Sequence, residues 1–287
     1  MPTITNGILK SWFADSTFVA ATDAVPEALG LNPLVATPTP MPEGDSPIVR
    51  VPFVSSDPEA KAVAEGAPIS EGEPALSELR FSTEKIGLIH RVSNETYRSV
   101  VATANGQNGA ATQLTDSLRR SVTMKLDAEL LTATDANGCI GLATHDAVTD
   151  YGQLATAAPL ASLIDALAGV ADHGGVPTSL VMSNGTWAKL LKYQYKDGRP
   201  VVNPDAQTAA MPVLLGLPVI RTASAPADLI IVTSASDLLV SIGQLEVATD
   251  ASGDDFRTDS TSIRVLARIG WGIARAGRLA KVTVSDK

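Results

Sequence analysis

Between residues 111 and 133 apolar residues recur every fourth position: Leu114, Leu118, Val122, Leu126 and Leu130. They form one slowly drifting stripe, which predicts an amphipathic helix. Asp116 with Arg120 and Lys125 with Glu129 are spaced for i,i+4 ion pairs, each contributing about 0.3 kcal/mol. Asn137 and Gly138 supply the stop. From 156 to 246 the pattern alternates helix with strand. Leu160, Leu163, Ile164, Leu167 and Val170 line one helix face that ends near Gly174 and Gly175, and Ser179 to Met182 reads as a buried strand. Ser183 or Asn184 caps the next helix, which carries Trp187, Leu190 and Leu191. A Leu-Gly-Leu-Pro turn follows, with Gly216 permitting a tight approach and Pro218 fixing the chain direction. Beyond it come a strand at Leu229 to Val232, a second strand ending in Glu246 and Val247, and an acidic loop around Asp254, Asp255 and Phe256. A long strand then alternates Ile263, Val265, Ala267 and Ile269.

The first 45 residues have a different character. Prolines at 26, 33, 38, 40, 42 and 47 interrupt candidate helices. A short helix near Ile8 to Phe18 is expected, and Ala36 to Pro47 should be extended. Residues 48 to 91 read as two strands. Ile48, Val49, Val51, Phe53 and Val54 mark the first; Leu79, Phe81, Ile86, Leu88 and Ile89 mark the second. Between them lies a polar excursion rich in Pro and Gly, too long for an ordinary connection in a compact domain.

Composition narrows the function. With 45% hydrophobic residues in 287, the chain has ample material for a core. Its single cysteine, Cys139, excludes a disulfide within the chain. No apolar run approaches the ~18 residues that span a bilayer. A net charge of -9 argues against nucleic-acid binding by counterion release. His90, His145 and His173 are far apart and lack ligand spacing to carboxylates or Cys139, so no zinc site is read. No phosphate loop, dinucleotide fingerprint or nucleophile elbow occurs. Asp254, Asp255 and Asp259 lack the EF-hand order and its closing Glu, and are read as a solvated acidic loop. Trp12, Trp187 and Trp271 are isolated and assigned to packing. No cofactor is expected.

Four stretches carry a family resemblance: the block Leu214 to Val284; LVMSNGTWAKLLKYQYKDGRPVV; TQLTDSLRRSVTMKLDAELLTATDANG; and AEGAPISEGEPALSELRFSTEKIGLIHRVSNE. Their order resembles tailed-bacteriophage major capsid proteins of the Hong Kong 97 fold. The resemblance implies an α+β fold with an N-terminal arm at 1–45 and an extended hairpin, the E-loop, with flanking strands at 46–91. A peripheral domain with a spine helix follows at 92–155, then an axial domain at 156–245 and peripheral C-terminal strands at 246–287. The implied function is structural: copies form pentamers and hexamers that close into an icosahedral head around double-stranded DNA, in the host bacterial cytoplasm. Assembly contacts are expected from the E-loop residues Lys61, Glu65, Glu71 and Glu73. They are also expected from Lys196, Asp197 and Arg199 in a turn near a five- or six-fold axis. An acidic wall would not hold the packaged DNA.

In self-crosslinking members of that family an E-loop lysine bonds to a neighbour's asparagine, with a glutamate as base. Counted from Phe256, those two places hold Asp259 and Leu266, and no asparagine occurs after Asn203. Neither residue suits the chemistry, since an ionised Asp is a poor acyl donor and Leu accepts no proton. Lys61 would have no partners, so no crosslinks are expected. The arm starts almost at Met1, without the helical scaffolding segment some members carry, so a separate scaffolding protein is expected; a portal and a decoration protein are further partners. Two rivals stand beside this reading: an encapsulin-type shell, and a soluble α/β enzyme with an unrecognised site.

Overall fold

A computed structural model describes residues 27–41, 48–63, 66, 71–95, 110–134, 139–154, 160–194, 200, 202 and 212–284. The expected helix at Ile8 to Phe18 lies outside them. With strands numbered along the chain, two sheets organise the molecule. The first is built on the long strand β11 (Ser260–Ile273). One edge of β11 pairs antiparallel with β3 (Ala75–Ser93), from Ser260 opposite Ser93 to Gly270 opposite Thr83. Its other edge is shared by β10 (Glu246–Asp250) and β9 (Leu238–Ile242). The strand expected to end at Glu246 and Val247 is therefore two strands, which pair with successive stretches of the same β11 edge. Strand β2 (Ile48–Ser56) pairs with β3, and the two-residue β1 (Thr37–Pro38) runs parallel to β9.

The predicted helix is α1 (Ala110–Thr132), packed across β11 and β3. Its stripe is buried at Leu118, Val122, Leu126 and Leu130, against Ile263, Val265, Ala267 and Ile269 of β11. Lys125 pairs with Glu129 as the spacing predicts, and Asp116 reaches Arg119 at 3.8 Å.

The second sheet has the order β4 (Val148–Gln153), β12 (Leu279–Thr283), β8 (Leu229–Thr233), β5 (Ser179–Met182), β7 (Leu217–Arg221), β6 (Val213–Leu214). Helices α2 (Ala161–Asp172) and α3 (Asn184–Lys192) supply Leu163, Ala166, Val170 and Leu190 to a core with Leu180, Met182, Ile230, Val232 and Val282. Alternation in β5 and β8 sends Val181 and Ile231 to the opposite face, into the core beneath the first sheet. The sheets cut across the segments expected from sequence. β9 lies N-terminal to position 246 yet joins the first sheet, while β12 and β4 join the second. A buried apolar strand satisfies its backbone on whichever edge is free, and chain order does not choose that edge.

Three details differ from, or decide between, sequence expectations. Residues 27–41 are not a loose arm. Leu29, Val35 and Ala36 are buried, the Leu29 amide donates to Asp127 at 2.6 Å, and Leu34 O accepts from Thr178 and Ser179 at 2.7 and 2.8 Å. At the Leu215-Gly216 turn both residues have positive φ, 51° and 81°, as a two-residue hairpin of the I′ kind requires. A Cβ on Gly216 would meet nothing within 4 Å, so φ rather than close approach selects the glycine. Of the two candidate caps, Ser183 is the N-cap: its Oγ accepts from the Thr186 amide at 3.1 Å. Thr186 Oγ1 in turn accepts from the Asp228 amide at 3.0 Å. Ser183→Ala is expected to cost about 1 kcal/mol in urea unfolding; a loss under about 0.3 kcal/mol would show the cap to be idle.

Candidate assembly surfaces

The hairpin β2–β3 is the first surface. From Ser82 back to Ala75, β3 pairs with β2 alone, over about 25 Å of strand at ~3.4 Å per residue. An isolated two-stranded ribbon is marginally stable in water. One guanidinium anchors this one. Arg275 Nη2 donates to Val54 O at 2.6 Å, and the group sits 5.8 Å from the Phe53 ring centre. Arg275 also reaches the fully buried Asp237, as does Arg278, each at 3.3 Å. Apart from this anchor the outer part of the hairpin is exposed. Leu76 is 79% exposed, and the described part of the loop between the strands is exposed throughout. Lys61, Glu71 and Glu73 sit there, exposed. Glu65 lies outside the described residues, as do Lys196, Asp197 and Arg199.

The acidic turn is the second surface. It contains the short helix α4 (Asp254–Arg257) and precedes β11. Arg91 at the end of β3 holds it: Nε meets Asp255 Oδ1 at 2.5 Å and Nη2 donates to Asp254 O at 2.8 Å. Asn94 clamps the same turn, its amide donating to Asp259 O at 2.8 Å and its Nδ2 to Asp259 Oδ1 at 2.7 Å. With both ends fixed, the ring of Phe256 stands 82% exposed. Residue periodicity gave no sign of Arg91 and Asn94; their role follows from the β3–β11 register.

The two places read as crosslink positions have structural roles. Asp259 has φ 45° and its carboxylate is engaged by Asn94. Leu266 is half-buried on β11 opposite Gly87, and its Cδ2 lies 2.3 Å from where a Cβ on Gly87 would stand. Leu266 therefore occupies the space that a side chain at 87 would need. The histidines do not meet. His145 is half-buried; its Nδ1 accepts from the Ala147 amide at 3.0 Å and burial pushes its pKa down. His173 bonds Gly169 O through Nδ1 at 2.7 Å, and His90 lies in β3. Cys139 is a buried thiol whose Sγ donates to Ser82 O at 3.3 Å. Trp271 is buried, with Nε1 donating to Ile140 O at 2.8 Å, and Trp187 packs beside the α2–α3 core. Among the described residues no group of three or more His, Cys, Asp or Glu is placed to hold a metal ion. No described helix is long and apolar enough to cross a membrane.

Comparison with known proteins places these surfaces in context. No curated protein matches the chain. Among solved structures, a chain of Mycobacterium phage Adephagia has 16% identity and a TM-score of 0.69, with 99% of each chain covered. One from Gordonia phage Cozz has 15% identity and a TM-score of 0.70, covering 96% of this chain and 91% of that one. A chain described as the capsid of an empty GTA particle, computed with C5 symmetry, has 14% identity and a TM-score of 0.69, covering 98% and 97%. At these identities the likeness speaks for the fold alone. The family rests on residues 28–284, which match the model of the phage capsid family. Taken together with the α+β Hong Kong 97 fold, that match identifies the chain as a member of the phage capsid family, a structural virion protein and not an enzyme.

Proposed function

We propose that this chain is the major capsid protein of a tailed phage, forming pentamers and hexamers that close into an icosahedral head around double-stranded DNA. The observation that carries the reading is the β2–β3 hairpin, whose outer part is exposed and is held to its own subunit by Arg275 at Val54 and Phe53. Such a ribbon gains order when a neighbour covers it, and overlapping neighbours are what a closed shell offers. Lys61, Glu71 and Glu73 are placed on that hairpin to make polar contacts with the covering subunit, with Glu65 beside them in sequence. The turn containing Lys196, Asp197 and Arg199 is assigned to the ring around the capsomer axis, where opposite charges on neighbours favour closure. A separate scaffolding protein, a portal and a decoration protein complete the proposed partners. The DNA is enclosed without sequence-specific binding, in keeping with the charge of -9.

The shell is proposed to hold without autocatalytic crosslinks. Asp259 is already hydrogen-bonded within its own subunit, and Leu266 supplies no base. The test is electron microscopy of particles made by co-expressing the chain with the phage assembly genes, followed by boiling in detergent. Closed heads that dissolve to a single band near 29.7 kDa are expected. A covalent ladder would overturn the crosslink reading, and a persistent monomer would overturn the shell.

A further inference from the structure

At the root of the hairpin a pocket of about 400 Å³ opens between β2, β3, the end of β11 and the 140–145 segment. Its floor is apolar and aromatic, made by Phe81, Ile140 and Trp271, and its rim carries Arg50 and Arg80. Those arginines face each other directly across the β2–β3 ladder. Like charges in that position repel and destabilise a sheet. One carboxylate serves both: Glu78 lies 3.5 Å from Arg50 and 3.1 Å from Arg80. The lining itself contains no Asp or Glu, and the guanidiniums remain about 60% exposed, at 60% and 59%. The pocket thus pairs an aromatic floor, with Ser82 and His145 also in its lining, with one uncompensated positive charge at its mouth, the shape and charge for an aromatic ring flanked by a carboxylate.

The acidic turn presents that combination. Phe256 is 82% exposed, and Asp254 stands two residues before it. Arg91 and Asn94 hold the turn in place, which lowers the ordering cost of binding. The turn cannot enter its own pocket. It precedes Ser260 at one end of β11, while Trp271 lies near the other, about 36 Å away at ~3.3 Å per residue. We infer that the Asp254–Phe256 turn of one subunit docks in the Arg50/Arg80 pocket of a second copy. The Phe256 ring sits on the aromatic floor and the Asp254 carboxylate meets the two guanidiniums. Plug and socket lie on different parts of the surface, so the contact is head-to-tail. Such contacts propagate from copy to copy, and close only when the rotation between copies allows.

This inference rests on the shell reading, and the experiment separates the two. Three full-length variants are co-expressed with the assembly genes: Arg80→Glu, Asp254→Arg and the double exchange. Each single variant is expected to lower the yield of closed particles by about 10-fold or more, and the double to recover to within about 3-fold of wild type. A second measurement does not depend on yield. In a Cys139→Ser background, Ile48→Cys with Phe256→Cys should give intersubunit disulfides in assembled particles under oxidation. Arg80, Asp254, Ile48 and Phe256 are on the surface while Cys139 is buried, so folding of every variant, the Cys139→Ser background included, is checked by circular dichroism. Particles that assemble normally in both single variants and form no disulfide would overturn the docking while leaving the shell standing. Absence of particles from the wild-type chain would overturn both. Protection of Arg50 and Arg80 from chemical modification by added duplex DNA, but not by assembly, would assign the pocket to phosphate and overturn the docking.

Discussion

Replacing Asp237 with alanine is expected to destabilise the folded subunit by about 3 kcal/mol. The carboxylate has no exposed surface and accepts four side-chain hydrogen bonds. They come from Ser234 at 2.9 Å, Ser236 at 3.1 Å, and Arg275 and Arg278 at 3.3 Å each. Its removal leaves the buried Ser234 hydroxyl short of an acceptor, a loss of about 1 kcal/mol, while the exposed Ser236 turns to water. The arginines are 32% and 21% exposed and regain some hydration, which holds the total below the upper range for a broken buried pair. The effect should spread. Arg275 also bonds Val54 O in the hairpin, and Arg278 bonds His173 O at the end of α2 at 2.9 Å. Hydrogen exchange should therefore quicken in two places, the outer β2–β3 ladder around Val54 and the C-terminal turn of α2. Asp237→Asn keeps the shape but weakens the charge-assisted bonds, and should cost roughly half as much. A urea-unfolding loss below about 1 kcal/mol for the alanine variant would deny Asp237 this central role.

The second large effect is a pH dependence set by Asp127. This residue lies on α1 beneath the 27–41 segment, only 7% exposed, and accepts the Leu29 amide. Burial pushes its pKa up from 3.8 to about 6, and the hydrogen bond from Leu29 only partly offsets that rise. Between those two values the folded chain retains a proton that the unfolded chain has released. Stability from this group therefore falls as pH rises through the window, and the penalty is complete above about 6. With allowance for relaxation around the charge, the penalty is about 2 kcal/mol. Asp127→Asn keeps an acceptor for Leu29 and removes the charge. It should be more stable than wild type by about that amount at pH 8, with the difference vanishing near pH 4. Other titrating groups are common to both proteins and cancel in the comparison. Equal stabilities at pH 8 would refute the argument. The linkage has a structural reading, because Leu29 opens the segment that ties the N-terminal region to both sheets.

Much of the local structure was legible in residue order. The four-residue stripe placed a helix between 111 and 133, one residue from α1 at either end, because an amphipathic helix writes its buried face directly into its periodicity. Ile263 to Ile269 marked β11 for the same reason at period two. Two apolar runs, Ile48 to Val54 and Leu79 to Ile89, separated by a long polar stretch, marked the hairpin. The resemblance in the C-terminal block pointed to the family that the match over 28–284 shows.

Other features depend on register, and no one-dimensional pattern contains a register. Arg50 and Arg80 are 30 positions apart and individually ordinary; only the β2–β3 ladder sets them opposite each other. Arg91 and Asn94 became the clamp of the acidic turn because β3 and β11 run antiparallel with Ser93 opposite Ser260. The first 45 residues were read as an N-terminal arm because prolines exclude helix, but the burial of Leu29 and Val35 within their own subunit depends on contacts such as Leu29 with Asp127, 98 positions later. The sheet boundaries behaved likewise. Hydrophobicity announces that β9 and β12 are buried, while the choice of edge rests on which neighbouring strand leaves its backbone unpaired. The sequence by itself determined the elements, their buried faces and the family. Only the tertiary structure decided which charges meet and which apolar groups remain exposed for a neighbour, because those outcomes arise from contacts between segments far apart along the chain.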